Sequence, residues 1–193
     1  SKACAEILTN SYIRSFFYTS KNKAARVSTA RSGNILGGGD WGKYRLMTDI
    51  VNAKINNKIL KLRNISAVRP WIHVLDTLTG YIELAKKNYI SKEFVGAWNF
   101  SPMEKPKTVK KILEYCIKNN LLEKNKIIYS KKKYHETKIL MLNSSKARSK
   151  LKWKPKFNFN ETLDYTFDWY EAYRAKKNME LFSYEQIKKF ITK

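Results

Sequence analysis

The stretch "VSTARSGNILGGGDW", residues 27–41, contains four of the seven glycines in this chain of 193 residues. Residues 27–30 are small or β-branched, which predicts a short buried strand. The strand leads into a glycine-rich loop, where the backbone can adopt positive φ and approach a neighbour closely. The loop is therefore either a ligand-binding turn or a plain surface turn.

The spacing of these glycines argues against two common phosphate-binding motifs. G-x-G-x-x-G is absent, and the loop is not followed by the Lys-Ser or Lys-Thr pair of a P-loop. In open α/β sheets, however, ligands bind beyond the carboxyl ends of the strands, which is where this loop lies. A ligand site without a phosphate-binding fingerprint therefore remains a prediction.

The rest of the chain alternates between predicted helices and strands. Hydrophobic spacing predicts a helix over residues 44–57, which Asn56 and Asn57 end. We expect Asp76 and Asn160 to be the N-caps of two later helices. The other predicted elements are helices over 1–17 and 108–119, and extended segments over 59–64, 67–74, 96–102 and 126–130. This alternation predicts an α/β protein.

The first residues of the chain have the pattern of a helix interior, with no N-cap before them. Its apolar residues are predicted to share one side of the helix: Ala3, Ile7, Leu8, Tyr12 and Phe16. Domains seldom begin inside an amphipathic helix with no cap before it. We therefore expect a C-terminal fragment of a longer protein.

The net charge of +23 raises the question of nucleic-acid binding. The 39 basic residues are mostly lysines spread along the whole chain, and zinc-finger spacing and aromatic RNA-binding signatures are absent. Non-specific adhesion to polyanions is expected from charge alone. No specific nucleic-acid partner is predicted, and a basic polyanion-binding module stays as the alternative outside enzymes.

Cysteine usage and hydropathy restrict the location and the metal chemistry. Cys4 and Cys116 have no nearby Cys or His partner, so we expect neither a disulfide framework nor a metal site. No apolar run approaches the ~20 residues of a membrane span, and no membrane partner is expected. A reducing compartment, the cytoplasm, is the predicted location.

Six short motifs follow one another in the order and spacing of a known family. They are "SKACAE" (1–6), "ARSGNILGGGDW" (30–41), "RPWIHVLD" (69–76), "GAWNFSP" (96–102), "HE" (135–136) and "SKARSKLKWKP" (145–155). Together they resemble the extended short-chain dehydrogenase/reductase family, the NAD-dependent epimerases and dehydratases. The "GGGDW" and "RPWIHVL" stretches are most similar to its branch that dehydrates CDP-glucose.

The resemblance implies a domain organisation. Residues 1–43 would hold the last helix and strand of an NAD(P)-binding Rossmann domain, with its glycine-rich active-site loop. Residues 44–193 would form mostly the smaller α/β domain that binds the nucleotide sugar, with some segments returning to the Rossmann domain. The family also implies a homodimer, formed through the opening helix, for the full-length protein.

The resemblance also implies a reaction. With NAD as cofactor, the family's dehydratases convert a nucleotide-activated hexose, here CDP-D-glucose, into CDP-4-dehydro-6-deoxy-D-glucose and water, a step of deoxysugar and lipopolysaccharide synthesis. A tyrosine takes the proton of the sugar's 4-hydroxyl, and it needs a nearby cation to ionise at neutral pH. Lys2 matches the lysine of the family's Tyr-x-x-x-Lys motif, whose tyrosine would precede Ser1. The fragment alone is expected to be inactive.

The site residues that the resemblance implies fall into two groups. Cofactor contacts carry over to Lys2 and to the backbone of Ser32 and Gly33. Substrate contacts carry over to Asn34 for the sugar diphosphate, Arg45 and Leu46 at the start of a helix, Leu62 and Arg63 beside the base, Arg69 for the pyrophosphate, and His135, with Glu136, near the ribose or phosphate.

Some residues in or near these motifs have an alternative interpretation in which they do not contact a ligand. Arg63 and His135 could be solvent-facing side chains, and we expect Trp71, Trp98 and His73 to be structural.

The chain departs from the family pattern after "HE", where Lys138 takes the place of a second histidine. Because of this departure, another sugar-nucleotide dehydratase or an epimerase of the same family remains an alternative function.

Overall fold

The structure, a computed structural model, describes residues 2–17, 25–130 and 137–193. Its helices are α1 Lys2–Tyr12, α2 Leu46–Ile55, α3 Val74–Ile90, α4 Val109–Lys118, α5 Phe159–Arg174 and α6 Met179–Thr192. Its strands are β1 Ser28–Ser32, β2 Asn34–Leu36, β3 Leu60–Leu62, β4 Val68–Arg69, β5 Trp71–His73, β6 Gly96–Phe100, β7 Lys107–Thr108 and β8 Ile127–Tyr129. The predicted α/β class is confirmed.

The strands associate in pairs, and most of the pairs are parallel. β1 pairs with β6, β2 with β5, and β3 with β8, each in parallel, whereas β4 and β7 are antiparallel. Parallel neighbours require long crossover connections, which the helices between them supply. Only one residue, Gly33, separates β1 from β2. A single extended segment therefore pairs with β6 before Gly33 and with β5 after it.

The change of partner occurs at Gly33. Its N–H donates to the carbonyl of Phe100 at 3.1 Å, and the N–H of Asn34 donates to the carbonyl of Pro70 at 2.9 Å. A Cβ on Gly33 would lie 2.1 Å from the Pro70 oxygen, far inside van der Waals contact. Glycine is therefore required at this position by the close approach of another backbone.

Two hydrophobic clusters form the core of the part of the chain that the structure describes. The larger is built on α2, α4 and α5, and includes Ile50, Ile112 and Leu163. The smaller contains Trp98 and Phe100. Trp71 belongs to the larger cluster with 6% exposure, and Trp98 has 1% exposure. The expectation that both tryptophans are structural is in agreement with this burial.

The apolar side that was predicted for α1 faces away from the rest of the described chain. Ile7 and Leu8 of α1 are 70% and 60% exposed, Phe16 in the turn after α1 is 63% exposed, and α1 contains no buried residue. Instead, Glu6 contacts β1, where its carboxylate accepts a hydrogen bond from Thr29 Oγ1 at 3.0 Å and lies 3.5 Å from Arg31 Nε. A polar anchor therefore holds this helix to the sheet.

The predicted N-cap Asp76 is wrong. α3 begins at Val74, and its N-cap is His73, whose Nδ1 accepts from the N–H of Leu75 at 3.3 Å. Asp76 is buried in the first turn, and its carboxylate accepts the backbone N–H groups of Lys156 at 2.6 Å and Phe157 at 3.2 Å. Its partners are about eighty residues away in sequence, so local spacing gave no sign of this role.

The predicted N-cap Asn160 is also wrong, by two residues. Asn158 precedes α5, accepts from the N–H of Glu161, and receives the Glu161 side chain on its own N–H, which is a capping box. The helix start at residue 44 is likewise too early, because α2 begins at Leu46, although its end at Asn56 is confirmed.

The glycine-rich stretch is not a single loop as predicted. Residues 34–36 form β2, and the turn begins only at Gly37. A Cβ on Gly38 would lie 2.0 Å from Cγ of Trp169, so the Trp169 side chain packs directly on the Gly38 backbone. Among residues 2–17, 25–130 and 137–193, no helix is long and apolar enough to cross a membrane.

Gly38→Ala should destabilise the protein, because the added methyl group overlaps the Trp169 side chain. We expect a loss of about 1–3 kcal/mol in the free energy of unfolding, measured by urea denaturation. Gly42→Ala is the matched control, since its Cβ would meet only the flexible Arg45 side chain, with Nε at 2.8 Å. Equal losses in the two variants would contradict the packing role of Gly38.

His73 predicts a pH dependence of stability. Burial lowers its pKa from 6.5 to about 4. Between these values the unfolded chain takes up a proton that the native state excludes, so stability falls as the pH decreases from 6.5 towards 4, with a slope approaching about 1.4 kcal/mol per pH unit. His73→Asn keeps an acceptor for Leu75 but does not titrate, so its urea midpoint should fall less steeply over this range. Identical slopes would contradict the assignment.

Candidate functional site

Asp40 organises the turn that follows β2. Its carboxylate accepts hydrogen bonds from the N–H of Gly42 at 3.0 Å and from Nη1 of Arg45 at 2.7 Å. Its carbonyl accepts from Thr48 Oγ1 and from the Tyr170 hydroxyl, both at 2.9 Å, and its N–H donates to the same hydroxyl at 3.1 Å. Asp40 thus ties the glycine-rich turn to the start of α2 and to α5.

The charge of Asp40 is stabilised within this network. Burial alone would raise its pKa, but the hydrogen bonds from Arg45 and Gly42 outweigh burial, and the pKa is lowered. The Arg45 side chain is 64% exposed, so the ion pair is screened by water and contributes at most about 1 kcal/mol. Since a guanidinium has five N–H donors, Arg45 can hold Asp40 and still bind an anion.

Aromatic side chains form a wall beside this turn. Trp41 packs edge-on against Tyr170, with ring centroids 5.3 Å apart, and lies 5.1 Å from Tyr173. Trp169 stacks on Tyr173 at 5.8 Å. Trp41 is 41% exposed and Tyr173 is 46% exposed, so solvent reaches one side of this aromatic cluster.

The cofactor residues implied by the resemblance lie at the carboxyl end of β1 and on α1. Lys2 is exposed at the first position of α1, one turn before Glu6 and therefore on the same side of the helix. The hydroxyl of Ser32 lies 3.1 Å from Thr77 Oγ1 and donates to the Phe100 carbonyl at 3.2 Å. The amide of Gly33 also bonds within the chain, to the Phe100 carbonyl at 3.1 Å.

Two of the residues predicted to bind substrate come together at the change of strand partner. Asn34 is half-buried, and its N–H bonds the carbonyl of Pro70, the residue after Arg69. Arg69 is 9% exposed, and its Nη1 donates to the carbonyls of Val68 at 2.9 Å and Lys138 at 3.4 Å. The backbones that carry Asn34 and Arg69 are therefore adjacent, although the residues are 35 positions apart in the sequence.

The other residues predicted to bind substrate lie in different environments. Leu46 packs partly buried against the larger core, and Leu62 is 6% exposed inside it. Arg63 is exposed and acts on Asp49, whose pKa is raised by burial while the positive charge of Arg63 opposes that increase. His135 lies outside the described residues.

Sequence reasoning did not identify Asp40, Glu6 or Thr77 as part of this region. Asp40 had a recognisable signal, because aspartate in a turn commonly accepts a backbone N–H two residues later. Glu6 and Thr77 had none, since their partners lie on distant segments. In the described part of the chain, no group of three or more His, Cys, Asp or Glu residues could hold a metal ion.

Tyr170→Phe should unfold more readily, because it removes a buried hydroxyl that bonds both backbone groups of Asp40. We expect a loss of about 1–3 kcal/mol in the free energy of unfolding by urea denaturation. The same change at the exposed Tyr173 is the control and should cost little. If the Tyr173 variant were affected as much, the hydroxyl contacts with Asp40 would not be the cause.

Comparison with known proteins identifies the family. The chain matches the model of the GDP-mannose 4,6 dehydratase family over residues 1–166. It is 34% identical to CDP-glucose 4,6-dehydratase from Salmonella typhimurium over an alignment of 196 positions, which covers 100% of this chain and 55% of that protein. The chain thus spans about half the length of the curated relative that it matches.

Solved structures share the fold. A dTDP-glucose 4,6-dehydratase from Streptomyces venezuelae, determined with NAD and TYD bound, superimposes with a TM-score of 0.75 at 16% identity and covers 92% of this chain and 51% of that one. A dTDP-glucose 4,6-dehydratase from Bacillus anthracis, in complex with NAD, gives 0.73 at 23% identity and covers 89% and 50%. The expected Rossmann-type α/β fold is confirmed, and the family match over residues 1–166 shows that this chain belongs to the GDP-mannose 4,6-dehydratase family.

Proposed function

We propose that this chain supplies the substrate-binding part of an NAD-dependent CDP-glucose 4,6-dehydratase, a hydro-lyase. The 34% identity to the Salmonella enzyme along the whole chain supports this choice of reaction and nucleotide. Because the chain spans 55% of that enzyme, we propose the reaction for a protein of the relative's full length. The product would be CDP-4-dehydro-6-deoxy-D-glucose, in deoxysugar synthesis.

The observation that carries the proposal is the adjacency of Asn34 and Arg69 at the change of strand partner. This point lies beyond the carboxyl ends of the parallel strands β1 and β6, where ligands of α/β sheets bind. A diphosphate needs several donors from separate elements, and a guanidinium can bind its oxygens in a bidentate way. We propose that Asn34, Arg69 and Arg45 line one diphosphate cleft, with Leu46 beside it.

The nucleoside would extend from this cleft towards β3. Arg63 is exposed at the end of β3 and can reach a ligand with its side chain. Leu62 is buried, so its proposed contact with the base would use its backbone. His135 is proposed to contact the ribose or the phosphate.

NAD, when bound, would accept a hydride from C4 of the sugar and return it to C6. Lys2, Ser32 and Gly33 are the proposed contacts of this chain with the cofactor. The anchor from Glu6 to β1 supports this assignment, because it fixes the side of α1 on which Lys2 also lies. Lys2 would lower the pKa of the catalytic tyrosine by placing a positive charge beside it.

Three further proposals concern organisation. Residues 1–43 would complete a Rossmann domain, and residues 44–193 would form mostly the substrate domain. The full-length protein would be a homodimer, in which the exposed apolar side of α1 takes part. A cytoplasmic location is proposed because both cysteines are free thiols, which a reducing compartment preserves.

The proposal predicts the effect of Arg69→Ala on nucleotide binding. Removing a desolvated cation from the diphosphate should weaken CDP binding to the chain by about 2 kcal/mol, or about 30-fold, measured by isothermal titration calorimetry. Arg174→Ala is the matched control, because Arg174 is an exposed arginine on α5 that pairs with Glu171. It should leave the affinity unchanged.

The same titration with UDP separates the alternatives within the family. Tighter binding of CDP than of UDP supports a cytidine nucleotide as substrate. Equal loss of affinity in the Arg69 and Arg174 variants would indicate a non-specific response to positive charge, as expected of a polyanion-binding module, and would overturn the proposal.

A further inference from the structure

The C-terminal helix α6 follows the part of the chain that matches the family model, which ends at residue 166. One side of α6 packs on α5. Phe190 is 2% exposed, Trp169 Nε1 donates to Ser183 Oγ at 2.9 Å, and Gln186 Nε2 donates to the Tyr165 carbonyl at 2.9 Å. These contacts fix which side of the helix faces away from α5.

The outward side of α6 carries a row of apolar residues, which we call the α6 stripe. It consists of Leu181, Tyr184, Ile187 and Ile191, which are 57%, 63%, 41% and 65% exposed. Their spacing of three, three and four residues places them next to one another along the helix. Single exposed apolar side chains are normal, but a continuous row of them marks an interaction surface.

The charged residues of α6 are segregated along its length. Glu180 and Glu185 lie in its first half and Lys188 in its second half, whereas Lys189 and Lys193 are turned towards α5, where Lys193 pairs with Glu161 and Lys189 acts on Asp168. Glu185 and Lys188 therefore place opposite charges beside the middle of the stripe. Charge complementarity of this kind lets a second copy of the helix pair with it in the opposite direction.

We propose that the α6 stripe is a self-association surface, on which α6 of a second copy lies antiparallel across a two-fold axis midway along the stripe. An isologous contact of this type repeats every interaction twice. Leu181 of one copy would meet Ile191 of the other, and Glu185 would meet Lys188. This contact is independent of the proposed enzyme function and of the proposed dimer contact through α1.

Charge placement disfavours two other occupants. In a parallel pair, Glu185 would face Glu185 and Lys188 would face Lys188 of the second copy, and like charges repel. A membrane surface favours amphipathic helices that are basic along the whole polar side, because biological membranes are anionic. The acidic first half of α6 does not fit that pattern.

The association should be weak and dependent on concentration. A helix of 14 residues is about 21 Å long, so the pair buries less than the ~1,200 Å² of a stable interface. The net charge of +23 also opposes association at long range. Measurements at about 0.15 M salt, where the Debye length is about 8 Å, reduce this repulsion but leave the direct contacts.

Sedimentation equilibrium of charge-swapped variants tests the proposal. Glu185→Lys and Lys188→Glu should each weaken self-association by about tenfold, because two symmetry-related contacts become repulsive. The double variant Glu185→Lys/Lys188→Glu should restore it, since the opposite charges meet again. Far-UV circular dichroism of every variant checks that the helix content is unchanged.

Substitutions of tyrosine supply a matched control for the apolar part of the contact. Tyr184→Glu on the stripe should reduce the average mass at a given concentration, whereas Tyr89→Glu, at a tyrosine 87% exposed on α3, should not. A wild type whose mass does not change with concentration, or a double variant that fails to regain association, would overturn the proposal. Binding of the wild type to anionic phospholipid vesicles without self-association would overturn it in favour of a membrane surface.

Discussion

The change of strand partner at Gly33 is the constraint on which the rest of the structure depends. The extended segment 28–36 changes its partner from β6 to β5 at this glycine. The N–H of Gly33 still bonds Phe100, and the next N–H, that of Asn34, bonds Pro70. The crossing brings the Pro70 carbonyl to a point that any side chain on Gly33 would occupy. On β5, Trp71 belongs to the larger cluster and its neighbour Ile72 to the smaller one, so the strand that Asn34 joins borders both clusters.

Two of the glycines after β2, Gly37 and Gly38, are explained by close packing, and Gly39 is explained by its positive φ of 78°. Gly38 is covered by Trp169, and a Cβ on Gly37 would lie 2.6 Å from Val74. Asp40 then fixes the end of the turn through Tyr170 on α5. The proposed ligand site thus adjoins a turn whose shape comes from aromatic packing and from positive φ at Gly39 (78°) and Tyr44 (63°).

Local patterns in the sequence were enough to predict the α/β class, most of the elements and the end of α2. They failed where distant segments decide the structure. The local sequence around Asp76 predicts an N-cap, but its carboxylate accepts hydrogen bonds from the backbone N–H groups of Lys156 and Phe157. Residues 34–36 look like loop beside four glycines, yet pairing with β5 makes them a strand.

The candidate site shows the same division between local and distant information. The resemblance of motifs predicted Asn34 and Arg69 as site residues, and the fold places their backbones next to each other. Neither spacing nor motif indicated that Arg45 bonds Asp40 or that Glu6 anchors α1, because each contact is set by the tertiary fold. Buried Leu62 likewise shows that a motif match does not tell which atoms of a residue a ligand can reach.

Hydrogen exchange of the backbone amides in Gly33→Ala, compared with the wild type, tests the central role of the crossing most directly. In the wild type, the amides of Gly33 and Asn34 should exchange slowly because both are bonded to other strands. In the variant, the added methyl group should separate the crossing segment from both of its partners, so that β5 and β6 lose protection together. Loss of protection in only one of these strands, or in neither, would contradict the account.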